Sequence, residues 1–433
     1  MADLFEVLVI SSSIVLCLIL AHRFLEELGL VQSLSILFGG IKPLFNRGAK
    51  ALKEGLGIIH PNLRLFLKLA ILAVASRMLI YLLGYLGTML ISNQAPGLID
   101  SFPSLWNRWD SKHYLFIAEH GYVTVSDKKY LIVFFPLYSI AIQMVGRVVG
   151  DLFWSGIIVS NLCLGISCFY LYKLAAIDFD ETVAFRSVKY LLLFPVSFFL
   201  GAVFSDGMFL MFSLLTVYQL RRRDWLKAGV WGMLAAFTRN FGLLLLIPAL
   251  IEWILSHRKQ LAKIMVWNRR GLFLFLIPMG YFAYLALNKS ITGDWFTFLT
   301  YQKDYWNHDL QLFADLAEYA RNATAVSSWS PSDRISIWIP QVALVLATLM
   351  SIIVALWVRI RYSYLGYMFA YLLSCLSITW LISGPRYMLG MFPLYILFGV
   401  ISRNKWLDLA LTIISALFLA FYTLAFTGGF RIM

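Results

Sequence analysis

The 433-residue chain is 61% hydrophobic and 16% aromatic, and only 14% of it is charged, against roughly 25% in a soluble globular protein. Together with a mean hydropathy of +0.77, this excludes a soluble enzyme. The formal net charge of +13 does not point to nucleic acid, because the basic residues fall in short loops between apolar runs, as the positive-inside bias predicts.

The apolar runs approach the ~20 residues needed to cross a bilayer. They do not alternate and are rich in Leu and Phe, which predicts helices rather than barrel strands. A first span near 6–22 follows an acidic start and reads as an anchor, not a cleavable signal. Further helices are expected near 65–91, 131–149, 152–174, 185–203, 206–220, 226–238, 241–255, 270–288, 335–358, 363–382, 386–402 and 406–426. The fold class is therefore all-α and polytopic, with about 11–13 transmembrane or membrane-embedded helices. Residues 1–60 form an anchor and an amphipathic cytoplasmic segment; residues 61–433 form a membrane domain with outer loops 92–130 and 289–334.

Loop charges orient these spans. Arg23, Lys42, Arg47, Lys50, Lys53 and Arg64 place 23–64 in the cytoplasm, so 92–130 lies outside. Arg221-Arg222-Arg223, the run from His257 to Arg270, Arg359 with Arg361, and Arg403 with Lys405 also belong inside. Both flanks of 226–255 are then basic, which predicts a hairpin of two short helices with Arg239 at its outer turn. The stretch 185–220 folds likewise, turning at Ser205-Asp206-Gly207. Parity then requires one element within 131–190 not to cross, and it leaves the side of Asp178, Asp180 and Glu181 open.

Cys17, Cys163, Cys168 and Cys375 all lie in apolar spans and read as packing residues, not as a disulfide frame or metal site. There is no phosphate loop of the Gly-x-x-x-x-Gly-Lys type, no zinc spacing and no Gly-x-Ser-x-Gly elbow. Asn322-Ala-Thr324 fits a glycosylation acceptor in an outer loop.

Chemistry concentrates in Trp106-Asn-Arg108-Trp109-Asp110-Ser-Lys-His113-Tyr114, which continues to Glu119-His120-Gly121-Tyr122. Asp110 is the candidate general base: among Trp106, Trp109 and Tyr114, partial desolvation is expected to raise its proton affinity. The plainer reading is an aspartate that caps an interfacial helix. His113 shares its face three residues on. Glu119 and His120 are a second candidate pair, or simply charges facing water ahead of a Gly121 C-cap. Arg239 interrupts an otherwise apolar stretch, where a charge is expensive; it suits a phosphate or a salt bridge with Asp206. Asp206 is equally hard to explain as a solvated charge. In Gly384-Pro385-Arg386-Tyr387 the proline punctuates a turn, and Arg386 suits an anion near the outer face.

The order Arg108-Trp109-Asp110 … Ile117-Ala118-Glu119-His120-Gly121-Tyr122 and Phe134-Phe135-Pro136-Leu137-Tyr138 resembles the PIG-V family of GPI mannosyltransferases and its bacterial relatives. The resemblance continues through Phe194-Pro195, Phe204-Ser205-Asp206, Thr238-Arg239, Pro385-Arg386-Tyr387 and Phe392-Pro393-Leu394-Tyr395, covering about 65 to 400. Relatives usually carry Glu where this chain has Asp206. The resemblance implies a GT-C fold, a polyprenyl-phosphate sugar donor (typically mannose), inversion at the anomeric carbon, no metal or other cofactor, and Asp110 as base. On that reading Arg108, Arg239 or Arg386 stabilises the leaving phosphate, and His113 and Glu119 position sugar or acceptor. The acceptor would be a glycolipid, glycan or protein. The membrane would be the plasma membrane of a bacterium or the endoplasmic reticulum of a eukaryote, with the site on the extracytoplasmic or lumenal face. Two other classes remain: a lipid or solute transporter, for which no inverted repeat is evident, and a non-catalytic subunit of a glycosylation complex.

Overall fold

The computed structural model describes residues 60–92, 97–257, 269–309, 320–324, 330–377, 383–430 and 432. The expected anchor at 6–22 and the segment that follows it lie outside these. Among the described residues there are helices and no strand. Six of the helices are long and apolar enough to cross a membrane, or up to eight if each of two sharply bent pairs counts as one span. The protein is an integral, multi-pass membrane protein.

Helix α1 (Pro61–Ser92) climbs from one end of the bundle to the other, where α2 (Leu98–Trp106) and α3 (Asp110–His120) follow. The expected outer loop 92–130 is thus largely helical. The expected helix 131–149 is broken instead. A 3-10 turn, Asp127–Val133, meets α4 (Pro136–Val149) at 106°. Pro136 has no N–H to continue a helix from Phe135, but its fixed φ suits the first turn of a new one.

This break resolves the parity conflict. Tyr138 near the start of α4 bonds Ser160 (2.6 Å), two turns into α5 (Leu152–Asp178), while Gly146 near its end lies against Leu152. Helix α4 therefore rises back to the end from which the chain entered, and it is the element that does not cross.

Beyond α5 the chain alternates between ends through α6 (Glu181–Leu193), α7 (Asp206–Arg221), α8 (Trp225–Thr238) and α9 (Leu246–His257). It continues through α10 (Leu276–Thr292), the surface helix α11 (Thr297–Trp306), α12 (Ile339–Trp357), α13 (Tyr362–Leu376), α14 (Pro393–Ile401) and α15 (Lys405–Thr427). The hairpin expected at Arg239 is present; the one expected to turn at Ser205–Gly207 turns earlier, through 194–205, and Asp206 and Gly207 open α7. Helices α8 and α10 cross closely through glycines: a Cβ on Gly280 would lie 1.9 Å from the Met233 carbonyl oxygen.

The basic turns collect at the end opposite α2 and α3, where ion pairs join neighbouring helices. Arg221 grips Asp178 with both guanidinium arms (2.5 and 2.7 Å). Arg361 and Ser363 meet the buried Glu252 (2.8 and 2.6 Å), and Arg403 reaches Asp180 (2.5 Å). Asp178 and Asp180 therefore belong to the basic end.

The helix expected over 185–203 stops at Leu193, because Pro195 cannot continue it. The carbonyls freed by that stop are met by Arg77, a fully buried cation on α1. It donates to Leu192 O (3.0 Å), to Ser197 Oγ (3.2 Å) and to Ser197 O. Tyr81, one turn on, donates to Gly201 O (2.8 Å). Helix α1 thus holds the irregular strip that leads into Asp206. Replacing Arg77 by Leu strands these buried acceptors and is expected to cost roughly 2–4 kcal/mol. Thermal unfolding in detergent checks this, and an unchanged midpoint would show that the strip is held otherwise.

Candidate active site

At the end opposite the basic turns, four irregular pieces of chain converge. The first begins α3. Trp109 has φ 53° and ψ −127°, a conformation few non-glycine residues adopt, and it turns the chain so that Asp110 opens the helix. One turn on, Tyr114 bonds Ser205 Oγ (2.7 Å) and so ties α3 to the start of α7, where Asp206 follows. The second piece is that helix start. The third is the outer turn after α8, where Arg239 sits in extended conformation. There Gly242 lets the chain fold back: a Cβ on it would lie 2.3 Å from the Ala236 backbone. The fourth is the turn Gly384–Tyr387, with Pro385 in its first turn and Tyr387 O held by Tyr371 (2.8 Å).

These pieces bring together residues up to 276 positions apart. Arg386 bonds Asp110 Oδ2 through Nη1 and Asp206 Oδ2 through Nε (2.9 Å). Arg239 bonds the other oxygen of Asp206. Asp110–Arg386–Asp206–Arg239 is therefore one continuous chain of two carboxylates and two guanidiniums, formally neutral. Aromatic faces back both cations, Phe204 at 4.6 Å from Arg386 and Tyr387 at 5.5 Å from Arg239.

The order of exposure gives the cluster a front and a back. The Asp110 side chain is 25% exposed, Arg239 12%, Arg386 7% and Asp206 4%. A cleft of about 520 Å³ opens onto the front, with Asp110, Tyr114, Arg239, Asn240, Arg386 and Tyr387 at its base. Its walls mix apolar rings (Phe134, Tyr281, Phe298, Trp306) with polar groups such as Gln302. Asp206 does not line it. The arrangement suits an anion held against two guanidiniums beside a carboxylate, with an apolar tail along the aromatic wall.

One expectation is reversed here. Burial does work against the Asp110 carboxylate, but the Arg386 guanidinium outweighs it, aided by His113 and Arg239. The group is held below the ordinary aspartate range, not above it. Asp110 is therefore ionised in the resting chain, and its affinity for a proton is low.

The structure separates the remaining sequence candidates from this cluster. Arg108 donates to Thr427 O (2.8 Å) and Leu105 O (3.1 Å), tying the loop to α15. His113 turns its ring against Phe134, 5.2 Å between centroids, and does not line the cleft. Burial outweighs the pull of Asp110 and lowers its pKa; its Nδ1 is buried with no hydrogen-bond partner among the described residues. Glu119 and His120 are exposed, 3.7 Å apart, and Gly121 (φ 73°) ends α3 by bonding Ile117 O (2.9 Å). Glu119→Gln is accordingly expected to change any turnover at the cleft by less than about threefold, since an exposed charge outside the site contributes little. A tenfold loss in a transfer assay would return Glu119 to the site.

Sequence reasoning missed Tyr114, Asn240, Tyr387 and Gln302. Tyr114 had a signal, since it lies four residues after Asp110 on the same helix face. Gln302 had none, because its helix reaches the cleft only through tertiary packing.

Three comparisons bear on this geometry. Residues 135–296 match the family model described as dolichyl-phosphate-mannose-protein mannosyltransferase. That segment carries Asp206 and Arg239 but not Asp110 or Arg386. The chain is 28% identical over 206 residues to GPI alpha-1,6-mannosyltransferase 2 of Cricetulus griseus, covering 42% of this chain and 40% of that protein. It is 28% identical over 218 residues to the Mus musculus protein of that name, covering 45% and 43%. The Rattus norvegicus protein is 30% identical over 166 residues, covering 35% and 32%. By these matches the chain is similar, over part of its length, to membrane mannosyltransferases. It spans about two fifths of the length of the first of these relatives. No solved structure matches it.

Proposed function

We propose that this chain is an inverting membrane glycosyltransferase. It transfers a sugar, most simply mannose, from a polyprenyl-phosphate donor to a hydroxyl of a glycolipid, glycan or protein. The observation that carries this reading is the Asp110–Arg386–Asp206–Arg239 chain at the base of a cleft with aromatic walls.

The step is a single displacement. Asp110, already ionised, accepts the proton of the acceptor hydroxyl as its oxygen bonds the sugar C1. The bond from C1 to the phosphate oxygen breaks on the opposite face, and its electron pair leaves with the polyprenyl phosphate. Arg239 and Arg386 meet the charge that grows on that phosphate. The leaving group departs as an anion, so no general acid is needed. The isoprenoid tail lies along Phe134, Tyr281 and Phe298, which accounts for the placement of the site among membrane helices. The basic turns at the opposite end support an extracytoplasmic or lumenal cleft, by the positive-inside bias.

Competition between donor classes tests this reading. Polyprenyl phosphate is expected to inhibit sugar transfer by the purified chain, and nucleoside diphosphates are not. Inhibition by the nucleotides alone would overturn the donor class.

A further inference from the structure

Arg386 is the one residue, among those described, that bonds both carboxylates of the cluster. Its Nε is committed to Asp206 at the back, and its Nη1 to Asp110 at the cleft. Two carboxylates and two guanidiniums already cancel. A donor phosphate entering the cleft adds an anion to a cluster whose two cations are each already paired with a carboxylate. The carboxylate held more weakly is the one to give way, since like charges in a poorly solvated site disfavour each other. Asp206 is 4% exposed and held by both arginines, whereas Asp110 is 25% exposed, held within the cluster by one, and lines the cleft.

We infer that Arg386 is a latch on the base: without donor it masks Asp110, and the donor phosphate takes over its Nη1 side and frees that carboxylate to accept a proton. The inference rests on the polyprenyl-phosphate reading above and deepens it. Asp206 is then a positioning residue that keeps Arg386 in place during the exchange. The groups facing Asp110 are His113 and Tyr114 from its own helix, Arg239, Arg386 and Tyr387 from the two outer turns, and Asp206 behind them. Of these, Arg386 is the one whose partner changes. The masked carboxylate holds a proton weakly, which keeps the base idle until the sugar is in place. In the transfer step the hydroxyl proton then goes to the freed Asp110, and the C1–O electron pair goes to a phosphate already paired with Arg386.

Binding of polyprenyl phosphate to the full chain in lipid nanodiscs tests the latch without turnover. Asp110→Asn removes the competing carboxylate, so this variant is expected to bind polyprenyl phosphate roughly tenfold more tightly than wild type, an ordinary size for coupling between two ligands of one group. Equal or weaker binding would overturn the latch. A second measurement uses wild-type protein alone. The acid limb of kcat reports the donor-bound enzyme and that of kcat/KM the free enzyme, so the former is expected at higher pH. Coinciding limbs would also overturn the latch while leaving the transfer reaction intact. A wild-type chain that binds no polyprenyl phosphate would instead remove the donor reading, and the latch with it.

Discussion

Asp110→Asn is expected to reduce sugar transfer by roughly 10²–10⁴-fold, the range that loss of a positioned general base produces. The amide keeps the size of the side chain and can still meet Arg386 through its oxygen. The ring of contacts around Trp109 and Tyr114 therefore stays in place, and donor binding is not lost. A large fall in kcat with no weakening of donor affinity separates a base from a donor-binding residue. Were the purified variant to transfer at the wild-type rate, the base assignment would be wrong, whatever the fold.

Arg386→Ala is expected to have the second large effect, through two losses that act together. It removes a donor to the leaving phosphate, worth roughly 10²–10³ in kcat for a preorganised group of this kind. It also strips Asp110 of its partner and leaves Asp206 with Arg239 alone. Breaking a buried pair by removing one member costs roughly 3–5 kcal/mol. The variant should therefore be both inactive and less stable. Arg386→Lys distinguishes the two losses. It keeps the charge but loses the planar fork that offers separate nitrogens to Asp206 and Asp110. Recovered thermal stability with a persistent loss of transfer is the expected pattern. Full recovery of both would mean that a point charge at this position suffices.

The sequence carried much of this site because intramembrane charges are few and expensive. Arg239, Asp206 and Arg386 stand out against apolar surroundings for that reason alone, and the basic turns predict the outer turn that carries Arg239. A salt bridge between Arg239 and Asp206 was foreseen as an alternative to phosphate binding; in the resting chain it is present. The aromatic neighbours of Asp110 imply a raised proton affinity, and Arg386 reverses it. Those neighbours were legible from spacing, whereas Arg386, 276 residues away, was not.

The helix breaks were less legible, for a physical reason. Phe134-Phe135-Pro136 and Phe194-Pro195 are apolar throughout, so hydropathy runs across them while the backbone turns. Proline marked both places, but proline is tolerated in membrane helices when a neighbour satisfies the freed groups. Only the fold shows that Arg77 is that neighbour for the second break. Arg77 itself had a signal that was passed over, a cation near the middle of an apolar span.

Transfer from a lipid-phosphate sugar at the Asp110 cleft is measured by offering purified chain a panel of polyprenyl-phosphate sugars with a membrane lipid extract as acceptor, and identifying products by mass spectrometry and anomeric configuration. A mannosylated product of inverted configuration is expected from polyprenyl-phosphate mannose and is expected to be absent with Asp110→Asn. Transfer from a nucleotide sugar instead, or equal product from the Asp110→Asn chain, would rule out this chemistry at the cleft.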